Sequence, residues 1–224
     1  MIRIYIICEG QTEEMFVNSV LSEHFTSKSI YLTPILVGRP GHKGGNVCFD
    51  RLLIDIKARL GDTNAYCTTF FDFYGLRDDF PGKSEAIFKK NPKEKVDCVT
   101  VALKEGLAAN INTQAMRRFI PYVQMYEFES LLFSSPQKFA KGIGQEQLTA
   151  QLHSIRGKFP TPEDINDSPI TAPSKRIIQL FSEYEKPICG SLAAIEIGLQ
   201  TIRKECLLFN EWITTLENLE DILV

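Results

Sequence analysis

The chain has 224 residues, of which 44% are apolar and 24% charged, and its formal net charge is -3. This length suits one α/β core with a helical appendage better than two full domains. The net charge disfavours permanent, tight attachment to nucleic acid, because neutralising phosphates normally requires a clearly basic surface. No apolar stretch reaches the roughly 18 residues that a membrane-spanning helix needs, and the first residues do not resemble a signal peptide.

The cysteines argue against a zinc site. Six of them are spread along the chain without a Cys-x-x-Cys pair or a neighbouring histidine cluster. Since disulfides are rare in reducing compartments, we interpret them as reduced thiols in a cytoplasmic protein.

The first strand and helix are predicted at the N-terminus. Ile2 to Cys8 is an almost wholly apolar run rich in isoleucine, which is typical of a central strand buried on both faces of a parallel sheet. Gly10 ends this strand. Thr12 is predicted to cap a helix whose first turn carries Glu13 and Glu14, where negative charge is favourable.

Two more strands follow. One is predicted at Tyr31 to Val37, and the other at Tyr66 to Phe71, where it ends at Asp72. Between them, a helix is predicted from Cys48 to Leu60 because apolar residues recur there at helical spacing. The glycine-rich stretch Gly41 to Gly45 before this helix offers backbone N–H groups to a phosphate, although we favour a flexible linkage, because the stretch does not match a P-loop.

A long connection separates Asp72 from the next helix, which is predicted at Glu94 to Asn110. Connections of this length are commonly functional. A fourth strand is predicted at about Phe119 to Met125, and Glu127 and Glu129 come straight after it. The connection and the start of the helix hold a group of lysines that we interpret as a solvated face rather than a binding patch: Lys83, Lys89, Lys90, Lys93 and Lys95.

The order of these elements predicts an α/β fold with a parallel sheet, right-handed crossovers and flanking helices over residues 1–134. The pattern changes after residue 134, and residues 135–224 are predicted to form a helical region packed on the sheet. Its expected helices are Gln145 to Ile155, Ser174 to Tyr184, Ser191 to Arg203 and Phe209 to Leu219.

Acidic residues fall at the carboxyl ends of the predicted strands, where ligands bind in open parallel sheets. Glu9, Asp72 and either Glu127 or Glu129 would meet at this edge. Clustered carboxylates raise one another's pKa unless a counter-charge is present, and Mg²⁺ (or Mn²⁺) prefers such oxygen ligands. A bound metal ion could activate water and stabilise charge on a phosphodiester.

Each acid also has a structural interpretation. For Glu9 and Asp72 we favour a functional role, because each charge directly ends a buried strand. Glu13 is an even choice between catalysis and stabilisation of the helix dipole. Glu127 and Glu129 share a face if the strand continues and diverge if a helix begins, so the sequence does not select the ligand.

Several segments together resemble a known family, DUF4276, which is regarded as Toprim-like. The resemblance runs along nearly the whole chain. The segments are C-E-G-Q-T-E-E at Cys8 to Glu14, D-F-Y-G-L at Asp72 to Leu76, Q-M-Y-E-F-E-S-L-L-F at Gln124 to Phe133, T-A-P-S-K-R-I at Thr171 to Ile177, and I-G-L-x-x-I-R at Ile197 to Arg203.

The resemblance implies roles for particular residues. Toprim domains hold Mg²⁺ with a glutamate after the first strand and a D-x-D pair after the third, and Glu9 and Asp72 are similar to the first members of these elements. The chain departs from the pattern at Tyr74, which stands in the position of the second aspartate. A substitute ligand would have to come from Glu127, Glu129 or Asp78.

The resemblance also implies a function. Such proteins are metal-dependent nucleases that act on DNA or on structured, tRNA-like RNA, often beside an ABC-type or SMC-like ATPase partner in anti-phage defence. Lys175 and Arg176 could then bind a substrate phosphate, although basic residues at the start of a helix explain them almost as well. The alternatives are a non-catalytic subunit that regulates the ATPase and, less favoured, phosphoryl transfer on a small nucleotide.

Overall fold

The computed structural model describes residues 1–37, 47–166 and 168–220. The glycine-rich stretch Gly41 to Gly45, expected to be a linkage or a phosphate site, lies outside these residues. Within them the strands are β1 (Ile2–Cys8), β2 (Ile30–Leu36), β3 (Tyr66–Asp72), β4 (Phe119–Ile120) and β5 (Val123–Gln124).

The helices in the same residues lie on both faces of the sheet. The α-helices are α1 (Gln11–Phe16), α2 (Ser22–Thr26), α3 (Phe49–Leu60), α4 (Lys83–Ala86), α5 (Pro92–Ala108), α6 (Thr113–Met116), α7 (Pro136–Gly142), α8 (Thr149–Arg156), α9 (Pro173–Leu180), α10 (Lys186–Ile197), α11 (Leu199–Glu205) and α12 (Leu207–Glu217). A π-helical segment, Val17–Leu21, joins α1 to α2, and 3-10 helices occur at Phe73–Gly75, Phe128–Ser134, Glu146–Leu148, Pro162–Asp164 and Pro169–Thr171. None of the helices described is long and apolar enough to span a membrane.

The sheet is parallel, with the strand order β2-β1-β3-β4 and with β5 also pairing with β3. β1 is a central strand, since it pairs with β2 along its whole length and with β3 from Ile4 to Cys8. The expected α/β fold with a parallel sheet flanked by helices is therefore confirmed, whereas the Toprim-like relationship stays a prediction. Because the strands are parallel, the residues that follow Cys8, Asp72 and Gln124 reach the same edge.

The fourth predicted strand is interrupted, so the prediction of one strand from Phe119 to Met125 is wrong in detail. Pro121 has no N–H to donate and separates β4 from β5. The hydroxyl of Thr69 on β3 replaces the lost ladder bonds: it donates to the carbonyl of Tyr122 at 2.8 Å and accepts the N–H of Tyr122 at 2.9 Å. The backbone N–H and carbonyl of Tyr122 therefore both remain hydrogen-bonded despite the interruption.

Two helix predictions also need correction. The helix expected from Ser191 to Arg203 is α10 and α11, because Gly198 has a left-handed φ of 80° that ends the first helix. It begins earlier than expected, at Lys186, since Pro187 is tolerated in a first turn. The N-terminal helix is capped by Gly10 instead of Thr12.

The hydrophobic core has one part on each face of the sheet. On one face, Ile4, Ile6 and Phe70 pack with α1 and with α10, α11 and α12. On the other, Ile7 and Phe71 pack with α3 and α5. The C-terminal helices thus share a core with the sheet, and the division of the chain at residue 134 stays a prediction.

Trp212 links the C-terminal helices to the sheet. Its indole N–H donates to the hydroxyl of Thr68 on β3 at 2.9 Å, and its ring stacks on Tyr122 with the centroids 4.3 Å apart. We expect Trp212→Ala to lower the free energy of unfolding by about 3–5 kcal/mol, as measured by urea denaturation, because it removes a buried aromatic ring and leaves a cavity.

Leu207→Ala is the control for this prediction. Leu207 lies on the same helix, α12, but is 58% exposed, so its truncation should cost less than about 1 kcal/mol. Equal effects of the two substitutions would show that α12 does not pack on the sheet through Trp212.

Candidate active site

The acids that end β1 and β3 are in contact at the carboxyl edge of the sheet. The side-chain Oε2 of Glu9 accepts the backbone N–H of Asp72 at 3.1 Å. The side-chain Oδ1 of Asp72 accepts the N–H of Phe128 at 2.7 Å, which ties β3 to the chain that follows β5. The structure therefore brings together Glu9, Asp72 and the segment containing Glu127 and Glu129, as the sequence predicts.

Gly75 leaves room for the carboxylate of Glu9. A Cβ atom built on Gly75 would lie 2.0 Å from Oε2 of Glu9, far inside van der Waals contact. A larger residue at position 75 would therefore have to displace the Glu9 carboxylate from its hydrogen bond with Asp72. The turn after β3 and the glutamate after β1 consequently fix each other's positions.

Burial and mutual repulsion raise the pKa of the acids at this edge. Burial raises the pKa of Asp72 well above its ordinary value, and the charges of Glu9 and Glu13 raise it further. The pKa of Glu9 is raised mainly by burial, against the effect of the Asp72 N–H and of Lys186. These carboxyls therefore hold protons more strongly than exposed carboxyls do.

Glu13 belongs to the same group. It is only 5% exposed, and its Oε2 accepts the backbone N–H of Gly10 at 2.8 Å. Burial, followed by the charge of Glu9, raises the pKa of Glu13 to about 8. Glu13 therefore both caps the N-terminus of α1 and belongs to the group of acids.

Glu127 and Glu129 both face the ammonium group of Lys186. A 3-10 helix begins between them, yet the Nζ atom of Lys186 lies 3.0 Å from Glu129 and 3.7 Å from Glu127. Glu127 also accepts the N–H and the hydroxyl of Ser174, at 2.7 and 2.9 Å. Both glutamates therefore lie at this edge, and neither diverges from it.

Glu129 is the more completely buried of the two, with 0% of its surface exposed. Burial raises its pKa, and the charge of Glu127 adds to the rise, while Lys186 opposes it. Its Oε1 atom has no hydrogen-bond partner among the residues described. A buried carboxylate oxygen without a partner is costly and is a candidate ligand for a cation.

Acidic side chains outnumber basic ones in this group. The acids are Glu9, Glu13, Asp72, Glu127 and Glu129, and the cation that pairs with members of the group is Lys186. Carboxylate oxygens are the donor type that Mg²⁺ or Mn²⁺ prefers, so Glu9, Asp72 and Glu129 would have to move closer together to hold such an ion. In the conformation described, no three acid, histidine or cysteine side chains of residues 1–37, 47–166 and 168–220 converge as ligands of one ion.

A cavity of 460 Å³ adjoins the acids, and Tyr74, Asp78, Lys83 and Glu127 are among its lining residues. Tyr74 and Asp78 thus both line this cavity. Lys83 is 4% exposed, donates to the carbonyl of Phe73 and lies 3.9 Å from the centre of that ring. Burial lowers the pKa of Lys83 to about 8, although the charges of Asp78 and Glu9 partly offset this effect.

Lys175 and Arg176 lie on α9, next to the Ser174 that binds Glu127. Lys175 is exposed. The guanidinium of Arg176 donates to the carbonyl of Thr171 at 2.7 Å and lies 5.2 Å from the ring centre of Phe159. Their predicted role in binding a substrate phosphate stays a prediction.

Sequence reasoning missed Lys186, Gly75 and Ser174. Lys186 did carry a signal, because it is the first residue of α10, where the helix dipole disfavours a cation. A lysine at that position indicates nearby carboxylates that compensate the unfavourable dipole interaction. Gly75 gave no signal beyond its place in a turn, since its role depends on a glutamate 66 residues earlier in the chain.

Comparison with known proteins identifies one family. A family model described as "Domain of unknown function (DUF4276)" matches residues 8–217. A search of curated proteins found no match. A search of solved structures also found none.

The contact between Gly75 and Glu9 can be tested by a double-mutant cycle. We expect Gly75→Ala to lower the melting temperature by several degrees, because the added methyl group must displace the Glu9 carboxylate. In a Glu9→Ala background the same substitution should cost much less. Equal costs in the two backgrounds would contradict the position of Glu9.

The raised pKa of Glu13 predicts a pH dependence of stability. The unfolded chain releases the proton near the ordinary pKa of 4.5, whereas the folded protein keeps it up to about 8. The folded state therefore binds more protons in this window, and the free energy of unfolding falls as pH rises through it. We expect Glu13→Gln, which stays neutral, to weaken this dependence in denaturation measurements between pH 5 and pH 8.

Glu14→Gln is the matched control, because Glu14 is the next residue of the same helix and is less buried. It should leave the slope of stability against pH close to that of the wild type. A Glu13→Gln protein whose stability changes with pH as steeply as the wild type would refute the assignment.

Proposed function

We propose that this chain, which belongs to the DUF4276 family, is a divalent-metal-dependent nuclease that hydrolyses phosphodiester bonds in DNA or structured, tRNA-like RNA. The observation that carries the proposal is the excess of buried carboxylates over cations at the carboxyl edge of a parallel sheet. Burying several carboxylates together lowers the stability of the folded state, so such clusters occur mainly where a function requires them. Acids with perturbed pKa values in clefts mark active sites. The expected cofactor is Mg²⁺ or Mn²⁺.

The acidic side chains have two roles in the proposed reaction, metal binding and proton donation. Glu9 and Asp72, joined through the Asp72 N–H, would hold the ion together with the unpaired oxygen of Glu129. When bound, the ion would supply an activated water and neutralise charge on the phosphate. Glu13, with a pKa of about 8, carries a proton at neutral pH and can donate it to a leaving oxygen as a general acid.

Lys186 and Gly75 act as positioning residues. Lys186 holds Glu129 and Glu127 by ion pairs, and the carboxylates of Glu129, Asp72 and Glu127 raise its pKa although burial opposes this. Gly75 allows Glu9 to approach the end of β3. These contacts prearrange the acids before substrate binds, which limits the reorganisation needed during the reaction.

The setting we propose is cytoplasmic, with an ABC- or SMC-like ATPase as partner in anti-phage defence. The resemblance in sequence supports this, and so does the net charge of -3, which is low for a protein that binds nucleic acid unaided. All six cysteines, each within the described residues, are free thiols, in keeping with a reducing compartment. A partner could bring the substrate to the acidic edge.

The proposal is tested by cleavage assays on single-stranded DNA, duplex DNA and tRNA with Mn²⁺ or Mg²⁺. We expect Glu9→Gln and Asp72→Asn each to reduce the cleavage rate about 100-fold or more, because each removes a negatively charged metal ligand. Since partner activation is part of the proposal, the assay is repeated with an ABC- or SMC-like ATPase that co-purifies with the protein.

Glu105→Gln, at an exposed acid of α5 ten residues and thus about 15 Å along the helix from Lys95, is the control and should keep full activity. Circular dichroism and melting curves must show that the variants are folded. Cleavage that persists at the wild-type rate in both folded active-site variants would exclude the proposed nuclease.

The second candidate is a non-catalytic subunit that binds and regulates the ATPase. Two observations favour it: Tyr74 replaces an expected metal ligand, and no three described side chains converge as ligands of one ion. In that case Mn²⁺ would leave the melting temperature unchanged, and Glu9→Gln would retain partner binding. A nuclease should instead melt at a higher temperature with Mn²⁺, and lose this shift in Glu9→Gln.

A further inference from the structure

The cavity beside the acids has the size and lining of a ligand site. Its volume of 460 Å³ falls in the range of small-molecule pockets. It borders the acid group, because Glu127 forms part of its wall and because the turn Phe73–Gly75 leads into it directly from Asp72. A group bound in this cavity would therefore lie beside Glu127 and beside the turn that follows Asp72.

One wall of the cavity is aromatic. The rings of Tyr74 and Tyr126 lie 5.6 Å apart between centroids, and the N–H of Tyr74 donates to the carbonyl of Tyr126 at 3.1 Å. Tyr126 has a left-handed φ of 61°, a conformation that a non-glycine residue adopts only at a cost. A strained backbone that places a ring in a cavity is typical of a binding site.

Two basic side chains, Lys83 and Lys95, line the cavity together with the tyrosines. Lys83 is almost fully buried, and none of the ion pairs among the described residues includes it. Lys95 lies 3.4 Å from the hydroxyl of Tyr126 and also lines the cavity. Burial disfavours the charged form of Lys83, although its Nζ atom donates to the carbonyl of Phe73, and an anionic ligand in the cavity would favour that charged form.

The residues that follow Ile87 in the chain, which we call the rim, continue this combination of apolar and basic groups. Ile87 lines the cavity and is exposed, and the next residue, Phe88, is 87% exposed. Lys89 and Lys90 follow and are exposed as well. An exposed phenyl ring beside ammonium groups is the arrangement with which proteins stack a base and neutralise its phosphates.

We propose that the cavity and this rim bind single-stranded nucleic acid, with one unstacked base against Tyr74, its phosphate near Lys83 and Lys95, and the adjoining base on Phe88. The proposal rests on the proposed nuclease function and specifies its substrate class. A duplex keeps its bases stacked and cannot place one in a cavity of this size without unpairing it. A free mononucleotide would leave Phe88, Lys89 and Lys90 without a role.

Binding is measured by fluorescence anisotropy with labelled oligonucleotides of about 12 nucleotides, single-stranded DNA, single-stranded RNA and a DNA duplex. EDTA is present, so that neither cleavage nor the metal site contributes. We expect tighter binding of a single strand than of the duplex. Phe88→Ala and Lys95→Gln should each weaken single-strand binding about fivefold or more, through lost stacking and lost phosphate contact respectively.

Each variant has a matched control. Lys104 is an exposed lysine of the same helix as Lys95, nine residues further on and therefore on the opposite side, and Lys104→Gln should keep wild-type affinity. Ile54→Ala removes an exposed apolar side chain from α3 in the same way that Phe88→Ala does from the rim.

The proposal is overturned if no single-stranded probe binds, if the duplex binds equally well, or if either variant binds as tightly as the wild type. These outcomes are separate from those of the cleavage assay. Binding that depends on Phe88 and Lys95 without any cleavage would refute the nuclease alone. Cleavage that is indifferent to both residues would refute this binding site alone.

Discussion

The ion pairs of Lys186 with Glu129, at 3.0 Å, and with Glu127, at 3.7 Å, hold together an acidic edge that a single ammonium cannot neutralise. Burial by itself would lower the pKa of Lys186, and the surrounding carboxylates reverse this. Burial raises the pKa of both Glu9 and Asp72, and the charges of neighbouring carboxylates raise them further. A bound dication would supply the positive charge that these acids lack. The same ion would take part in the proposed reaction.

The fold supplies this edge through contacts between distant parts of the chain. Asp72 accepts the N–H of Phe128, Glu9 accepts the N–H of Asp72, and Ser174 donates to Glu127. The first of these bonds joins the end of β3 to the 3-10 helix at Phe128, the second joins the ends of β3 and β1, and the third joins the chain that follows β5 to the beginning of α9. Lys186 adds the C-terminal helices to the same network, so the helical region contributes to the site as well as to the core.

The position of the strands could be predicted from the sequence because a run such as Ile2 to Cys8 has few other stable environments. The parallel order then placed Glu9, Asp72 and either Glu127 or Glu129 at one edge without any knowledge of side-chain contacts. The interruption between β4 and β5 was not predictable, since it depends on the hydroxyl of Thr69 replacing ladder bonds. The partners of Lys186 and Gly75 were missed for a similar reason: they lie more than 50 residues away in the chain.

Anomalous X-ray diffraction from crystals grown with Mn²⁺ would test most directly whether the acids form a metal centre. The account predicts an anomalous peak about 2.2 Å from carboxylate oxygens of both Glu9 and Asp72, with Glu129 turned toward it. A structure at saturating Mn²⁺ with no peak there, and with Lys186 still the cation that these acids share, would contradict it.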